Sequence, residues 1–292
     1  MASPVATGLY GLASATSWGA GDFSGGLATR RAPVFTVAAV SKLAALVTML
    51  VFAWARAERL PALPVLGWAG AAGLAGALGL VSLYQALAVG VMGIAAPVSA
   101  LVAAAMPVAF AALSQGLPTG WQLAGFGLAM IAVWFVSRPA GPALSRERGQ
   151  PRGLRLAILA GIGFGGFYIF ISRARTDSVF WPLAAAQLIT LVAILAVAGA
   201  LALARRGGAA SPLSPALQTV LLMLLAGALD AGGNAFFLLA EHAGRLDVAA
   251  VLASLYPAST VVLARAVLNE RVSRTQAVGI VAALASIPLI AG

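Results

Sequence analysis

The feature that most constrains this chain is a series of apolar runs, each about 20 residues long, which is the length a helix needs to cross the roughly 30 Å hydrocarbon core of a bilayer. Each run is bounded by arginine or by Gly, Pro and Ser punctuation. Ten are found, at about 6–29, 34–55, 65–88, 94–114, 119–137, 153–172, 179–204, 216–240, 246–268 and 274–291. None alternates polar with apolar residues, so helices are favoured over the strands of a transmembrane barrel. Composition agrees: 61% of residues are hydrophobic and 9% charged, against about 25% charged in a soluble domain. The expectation is an all-α membrane protein with ten transmembrane helices, in which lipid replaces water as the outer solvent and helices satisfy their own backbone groups.

The second constraint is repetition. Residues 74–79 read LAGALG and residues 225–230 read LAGALD, identical but for the last letter. A proline inside an apolar run follows each copy, Pro107 and then Pro257. A Gln-x-x-Gly element comes next, Gln122 to Gly125 and Gln276 to Gly279. Repeats of this kind recur in membrane carriers. The longest polar segment, rich in proline and arginine, falls midway. This divides the chain into a first five-helix repeat (1–137), a linker (138–152) and a second five-helix repeat (153–292). Five is odd, so the halves enter the membrane in opposite directions, as two inverted repeats around a central cavity.

The net charge of +10 would suggest nucleic acid in a soluble protein. Here the arginines sit almost entirely between the apolar runs, which is the distribution of loops flanking a bilayer, so no nucleic acid is expected. Five arginines (Arg56, Arg59, Arg173, Arg175, Arg245) fall in loops on the side of the termini and eleven on the other side. By the positive-inside rule the termini would then be outside. The absence of cysteine removes thiol chemistry and disulfides, and a single histidine leaves no multi-histidine metal site. No catalytic residue, metal or cofactor is expected. The first run lacks a basic leader segment and is read as a retained span.

Ionisable groups near the bilayer centre are expensive and should face a cavity or a partner. Asp22, Lys42 and Asp230 qualify. In an antiparallel hairpin Asp22 and Lys42 reach similar depth, either as a structural ion pair or as part of a substrate or proton site; snorkelling is a third account. Asp230 stands where the two copies differ, and Asn234 lies one turn further on the same face. Both suit a cavity lining or polar contacts between helices. Trp18, Tyr84 with Gln85, Phe164, Tyr168 and Tyr256 lie within spans, whereas Trp54, Trp68, Trp121, Trp134 and Trp181 suit the interfacial belt. Gln187 is the counterpart of Lys42 in the second repeat. Glycines four apart (Gly21 and Gly25, Gly161 and Gly165) permit close helix approach, and Pro107 and Pro257 offer paired kinks, hence hinges.

Ser17-Trp18-Gly19 in the first run, a cation in the second (Lys42), Pro257 in the ninth and Glu270-Arg271-x-Ser273-x-x-Gln276-x-x-Gly279 entering the tenth together resemble the EamA-like branch of the drug/metabolite transporter superfamily. Two departures are Gln115-Gly116 where the first half should carry the equivalent glutamate, and lysine in place of arginine at position 42. The resemblance, which extends to bacterial exporters of amino acids including aromatic ones, implies a ten-helix carrier without enzymatic activity. It also implies cytoplasmic termini, opposite to the charge count.

The combined expectation is a multi-pass secondary transporter of the bacterial cytoplasmic (inner) membrane. It exports small metabolites by alternating access, with amino acids as the leading class, as a monomer in the lipid bilayer. Candidate substrate-binding residues are Trp18, Asp22, Lys42, Tyr84, Gln85, Tyr168, Gln187, Asp230, Asn234 and Tyr256. Glu270 with Arg271 is expected to form a helix-cap or inter-loop contact, with gating as the alternative. Asp22, Asp230 or Glu241 would relay protons if export is proton-coupled; facilitated diffusion needs no relay. A multidrug or other metabolite exporter is the alternative. An intramembrane aspartyl protease is a distant one, suggested by Gly19-x-Gly21-Asp22 but lacking the expected order of elements.

Overall fold

Wherever the sequence offers an apolar run, the chain coils. The computed structural model describes residues 4–88, 92–137, 150–204, 215–268 and 273–291. The first half contains α1 (Pro4–Thr29), α2 (Val34–Ala55), α3 (Leu63–Ala88), α4 (Met92–Ser114) and α5 (Gly120–Val136). The second contains α6 (Gln150–Arg173), α7 (Phe180–Ala204), α8 (Leu217–Ala243), α9 (Leu246–Ala253), α10 (Tyr256–Leu268) and α11 (Arg274–Ala291). The fold is all-helical, two inverted five-helix repeats around a central cavity. Among the described residues, six helical stretches are individually long and apolar enough to cross a membrane. Exposed large apolar side chains such as Leu9, Val51, Leu123, Val192, Leu221 and Val281 give the bundle the oily exterior that lipid requires. Most of the linker 138–152 and the pair Glu270 and Arg271 lie outside the described residues, and α6 opens at Gln150, three residues before its expected start.

The ninth span is not one helix, as the sequence predicts, but two. Helix α9 ends at Ala253, four residues before Pro257. Proline has no N–H to donate to that carbonyl, and its ring crowds it. Tighter bonds bridge the break, from Leu255 N to the Leu252 carbonyl at 3.2 Å and from Ala258 N to the Leu255 carbonyl at 3.0 Å. Helix α4 runs through Pro107 without interruption. The paired prolines therefore do not produce paired breaks.

The two Gln-x-x-Gly elements acquire a structural meaning. Thr119 and Gln122 form a reciprocal capping box that starts α5. Ser273 and Gln276 repeat it ahead of α11, with Ser273 N donating to Gln276 Oε1 at 2.9 Å and Gln276 N to Ser273 Oγ at 3.2 Å. Three residues on, the glycines let α5 and α11 touch. A Cβ at Gly125 would lie 2.7 Å from Ile290 Cγ1, and one at Gly279 equally close to Val136 Cγ2.

The halves interleave. Helix α1 packs most extensively on α8, and α6 packs most extensively on α3. Ser14 and Ser17 hydroxyls donate to the carbonyls of Gly233 and Leu229, at 2.8 and 2.7 Å. Gly161 and Gly165 bring α6 against Val102 and Met106 of α4, the close approach their spacing predicts; Gly21 and Gly25 meet α8 more loosely.

Candidate functional site

Helical periodicity aims a stripe from each of several helices at one central cavity of about 440 Å³. On α1 the stripe is Trp18, Asp22, Gly25 and Thr29. On α8 it is Ala226, Asp230 and Asn234. Lys42 comes from α2, Phe164, Phe167 and Tyr168 from α6, Gln187 and Thr190 from α7, and Ser254 and Tyr256 from the break between α9 and α10.

Each residue of Ser17-Trp18-Gly19 has its own neighbour. Ser17 bonds α8, and Gly19 offers its carbonyl to Thr260 Oγ1 of α10 at 3.1 Å. Trp18, between them, turns into the cavity and stacks on Tyr168 and Phe237, with ring centroids 5.8 and 6.0 Å away. Tyr168 and Phe237 lie 4.7 Å apart, so the three rings form an aromatic floor.

Beside that floor, Asp230 Oδ2 accepts two hydrogen bonds of 2.8 Å, from Lys42 Nζ and from Gln187 Nε2. The two pseudo-equivalent side chains thus converge on one carboxylate oxygen. Asn234 Nδ2 donates to the Asp230 carbonyl at 2.6 Å. The ion pair that the sequence allows between Asp22 and Lys42 does not form. Helix α2 lies along α8, where Ser41 Oγ donates to the Met223 carbonyl at 3.0 Å and Gly227 removes the side chain that would hold the helices apart. This turns Lys42 toward Asp230. Asp22 is exposed to the cavity, within electrostatic range of Lys42, Asp230, Tyr168 and Tyr256. It makes no hydrogen bond or salt bridge among the described residues.

The lining reaches toward one membrane face. It includes Thr29 and Val37, beside the α1–α2 turn, but no residue near the α4–α5, α6–α7 or α8–α9 loops. On that other face the loops are laced together. Arg245 grips Asp247 with Nε at 3.0 Å and Nη2 at 2.7 Å, and donates to the carbonyls of Gln115 and Gly116 at 3.2 and 2.8 Å. Gly116 adopts φ +86°, the left-handed region that favours glycine. Gln115 Oε1 also accepts from Leu246 N at 3.3 Å. The departure from the expected glutamate at Gln115-Gly116 is therefore part of this closure. Hydrogen bonding to Asp247, ahead of the opposing desolvation, raises the Arg245 pKa, so the clamp stays charged at physiological pH. Glu58 adds a second lace by accepting from Ser178 Oγ at 2.6 Å and Phe180 N at 2.9 Å, an anion at the N-terminus of α7.

Eight of the ten expected residues line the cavity: Trp18, Asp22, Lys42, Tyr168, Gln187, Asp230, Asn234 and Tyr256. Gln85 does not. The α3 stripe is Gly76, Leu80 and Leu83, and at 100° per residue position 85 falls on the opposite face, where it is exposed. The Tyr84 side chain lies outside the described residues. Glu241 is away from the cavity, buried on the laced face with Arg175 Nη2 3.3 Å from its carboxylate. Phe167 and Thr190 were absent from the expected set. Each sits three residues from one of the cavity residues Phe164 and Gln187, so the helical period alone would have found them.

The model of the EamA-like transporter family matches the chain twice, over residues 6–138 and 151–292. The chain belongs to the EamA-like transporter family. A search of curated proteins finds no significant match. Among solved structures, one titled as the crystal structure of a protein superposes with a TM-score of 0.73 at 17% identity, covering 97% of this chain and 95% of that one. This likeness shows a shared fold. As an EamA-like protein the chain is a multi-pass membrane transporter of the drug/metabolite superfamily, and its two matches are the repeats first seen as LAGALG and LAGALD.

The EamA-like scaffold also explains the one letter that differs. In the first copy a Cβ at Gly79 would sit 2.6 Å from Phe164 Cδ1. The ring occupies the room that Asp230 has in the second copy.

Proposed function

We propose that this protein is a secondary carrier of the bacterial cytoplasmic membrane that exports small metabolites by alternating access, with amino acids, including aromatic ones, as the leading class. The observation that carries this reading is the pairing of a cavity open toward one face with laced loops at the other, both built from the two repeats. That is the asymmetry an alternating carrier needs in one of its states. The volume of about 440 Å³ falls within the roughly 300–1,000 Å³ of small-molecule sites. Trp18 and Tyr168 supply flat apolar faces, Asp22 a polar contact for an ammonium group, and the Lys42–Asp230–Gln187 cluster a polar wall beside them. In this reading Pro257, at the broken span, is the principal hinge, and Pro107 a lesser one. The apolar walls of Phe164 and Phe167 would also suit a multidrug exporter. For the protease reading Asp22 and Asp230 would have to share a proton; instead Asp230 is held by Lys42 and Gln187.

The test is flux in proteoliposomes across a panel of amino acids, with and without a pH gradient. Saturable, competable flux of at least one amino acid is expected. Acceleration by the gradient would assign proton coupling, and equal rates facilitated diffusion. If drugs are carried and no amino acid is, the multidrug alternative replaces the leading class.

A further inference from the structure

The cavity's charges do not cancel. Lys42 and Asp230 satisfy each other, with Gln187 completing the cluster, so that pair is neutral as a unit. Asp22 is left over, a carboxylate exposed to the cavity and bonded to nothing among the described residues. It lies one helical turn from Trp18 on the same stripe of α1. Trp18 Nε1 and the Tyr168 and Tyr256 hydroxyls also form no hydrogen bond among the described residues. A lone carboxylate among aromatic walls attracts a cation twice, through its own charge and through the ring faces beside it. It repels an anion, whose acid group would reach Lys42 only by breaking the Lys42–Asp230 pair.

Resting on the carrier reading above, we infer that Asp22 is the counter-charge for the substrate's ammonium group, so that the cavity selects amine-bearing solutes with a flat apolar body and rejects anions of the same shape. The ammonium sits at Asp22, and the apolar body lies along Trp18 toward the Tyr168 floor. Asp22 is thus a specificity-determining residue, and the Lys42–Asp230 pair stays closed during binding.

The experiment uses the full chain in proteoliposomes and three probes with one indole skeleton: tryptamine (cation), indole-3-ethanol (neutral) and indole-3-acetate (anion). Competition of each against the substrate found in the flux panel is measured for the parent, Asp22→Asn and Asp22→Glu. In the parent, tryptamine should compete about tenfold or more better than indole-3-acetate, the scale of a charge-assisted hydrogen bond. Asp22→Asn should erase that preference and leave competition by indole-3-ethanol within about twofold; Asp22→Glu should restore it. Equal competition by all three probes in the parent overturns the inference while leaving the carrier reading intact. So does a preference that survives in Asp22→Asn. If Asp22→Asn does not fold, Asp22→Glu is read alone, and equal competition by tryptamine and indole-3-acetate in that variant also overturns it. A panel with no saturable flux at all defeats the carrier reading instead.

Discussion

Asp230 shows how much a single substitution between repeats can change. Its carboxylate holds a lysine from one half and a glutamine from the other through one oxygen, where the first half has only Gly79. Lys42→Met would leave the carboxylate with Gln187 alone. Because both partners are partly exposed, with side-chain exposures of 20% and 27%, the loss should be about 1–2 kcal/mol, below that of a fully buried pair. Thermal unfolding in detergent would read this, and Lys42→Met with Asp230→Asn together should recover most of the loss. Non-recovery would mean that Lys42 is held by something other than its charge. The sequence marked these residues because each is polar or aromatic within an apolar run, where lipid would penalise it. It did not reveal the pairings, which depend on which helices become neighbours. Asp22 and Lys42 are adjacent in the chain's order of helices, yet α2 lies along α8. Gln85 failed for a simpler reason: helical phase places it opposite the α3 stripe.

Among the elements, ten spans were legible to within a few residues because hydrophobic length is a strong signal. The break between α9 and α10 was not, since a proline in a membrane helix gives a kink, a break or nothing depending on its surroundings; Pro107 and Pro257 differ on that point. The two Gln-x-x-Gly elements were visible as a repeat, but their dual use as capping box and helix crossing appears only when α5 meets α11. Tight contact also explains the small residue in α3. Gly79→Ala should lower stability by about 1–3 kcal/mol because the new methyl meets the Phe164 ring. The same change should cost clearly less in a Phe164→Leu background, as a double-mutant cycle on thermal unfolding would show. Additive effects would mean that the backbone shifts to accommodate the methyl.

For the whole molecule, the Arg245 clamp joins a loop of the second repeat to a loop of the first, and it is one of the laces that close that face. Leu246, beside it, is fully buried. The chain contains no cysteine, so a single Leu246→Cys thiol reports without background. Adding Arg245→Gln should raise its labelling by a membrane-impermeant maleimide, applied from the side of the termini, by about tenfold, the effect of losing charged hydrogen bonds worth about 1.5–3 kcal/mol. An unchanged rate would show that the clamp does not hold this face shut.

The crosswise packing of α1 on α8 and of α6 on α3 carries a mechanical corollary. A sequence half could turn as a block only by tearing these contacts apart, because each half has lent its opening helix to the other. Any rigid unit that keeps α1 with α8, or α6 with α3, is therefore chimeric, assembled from both ends of the gene product.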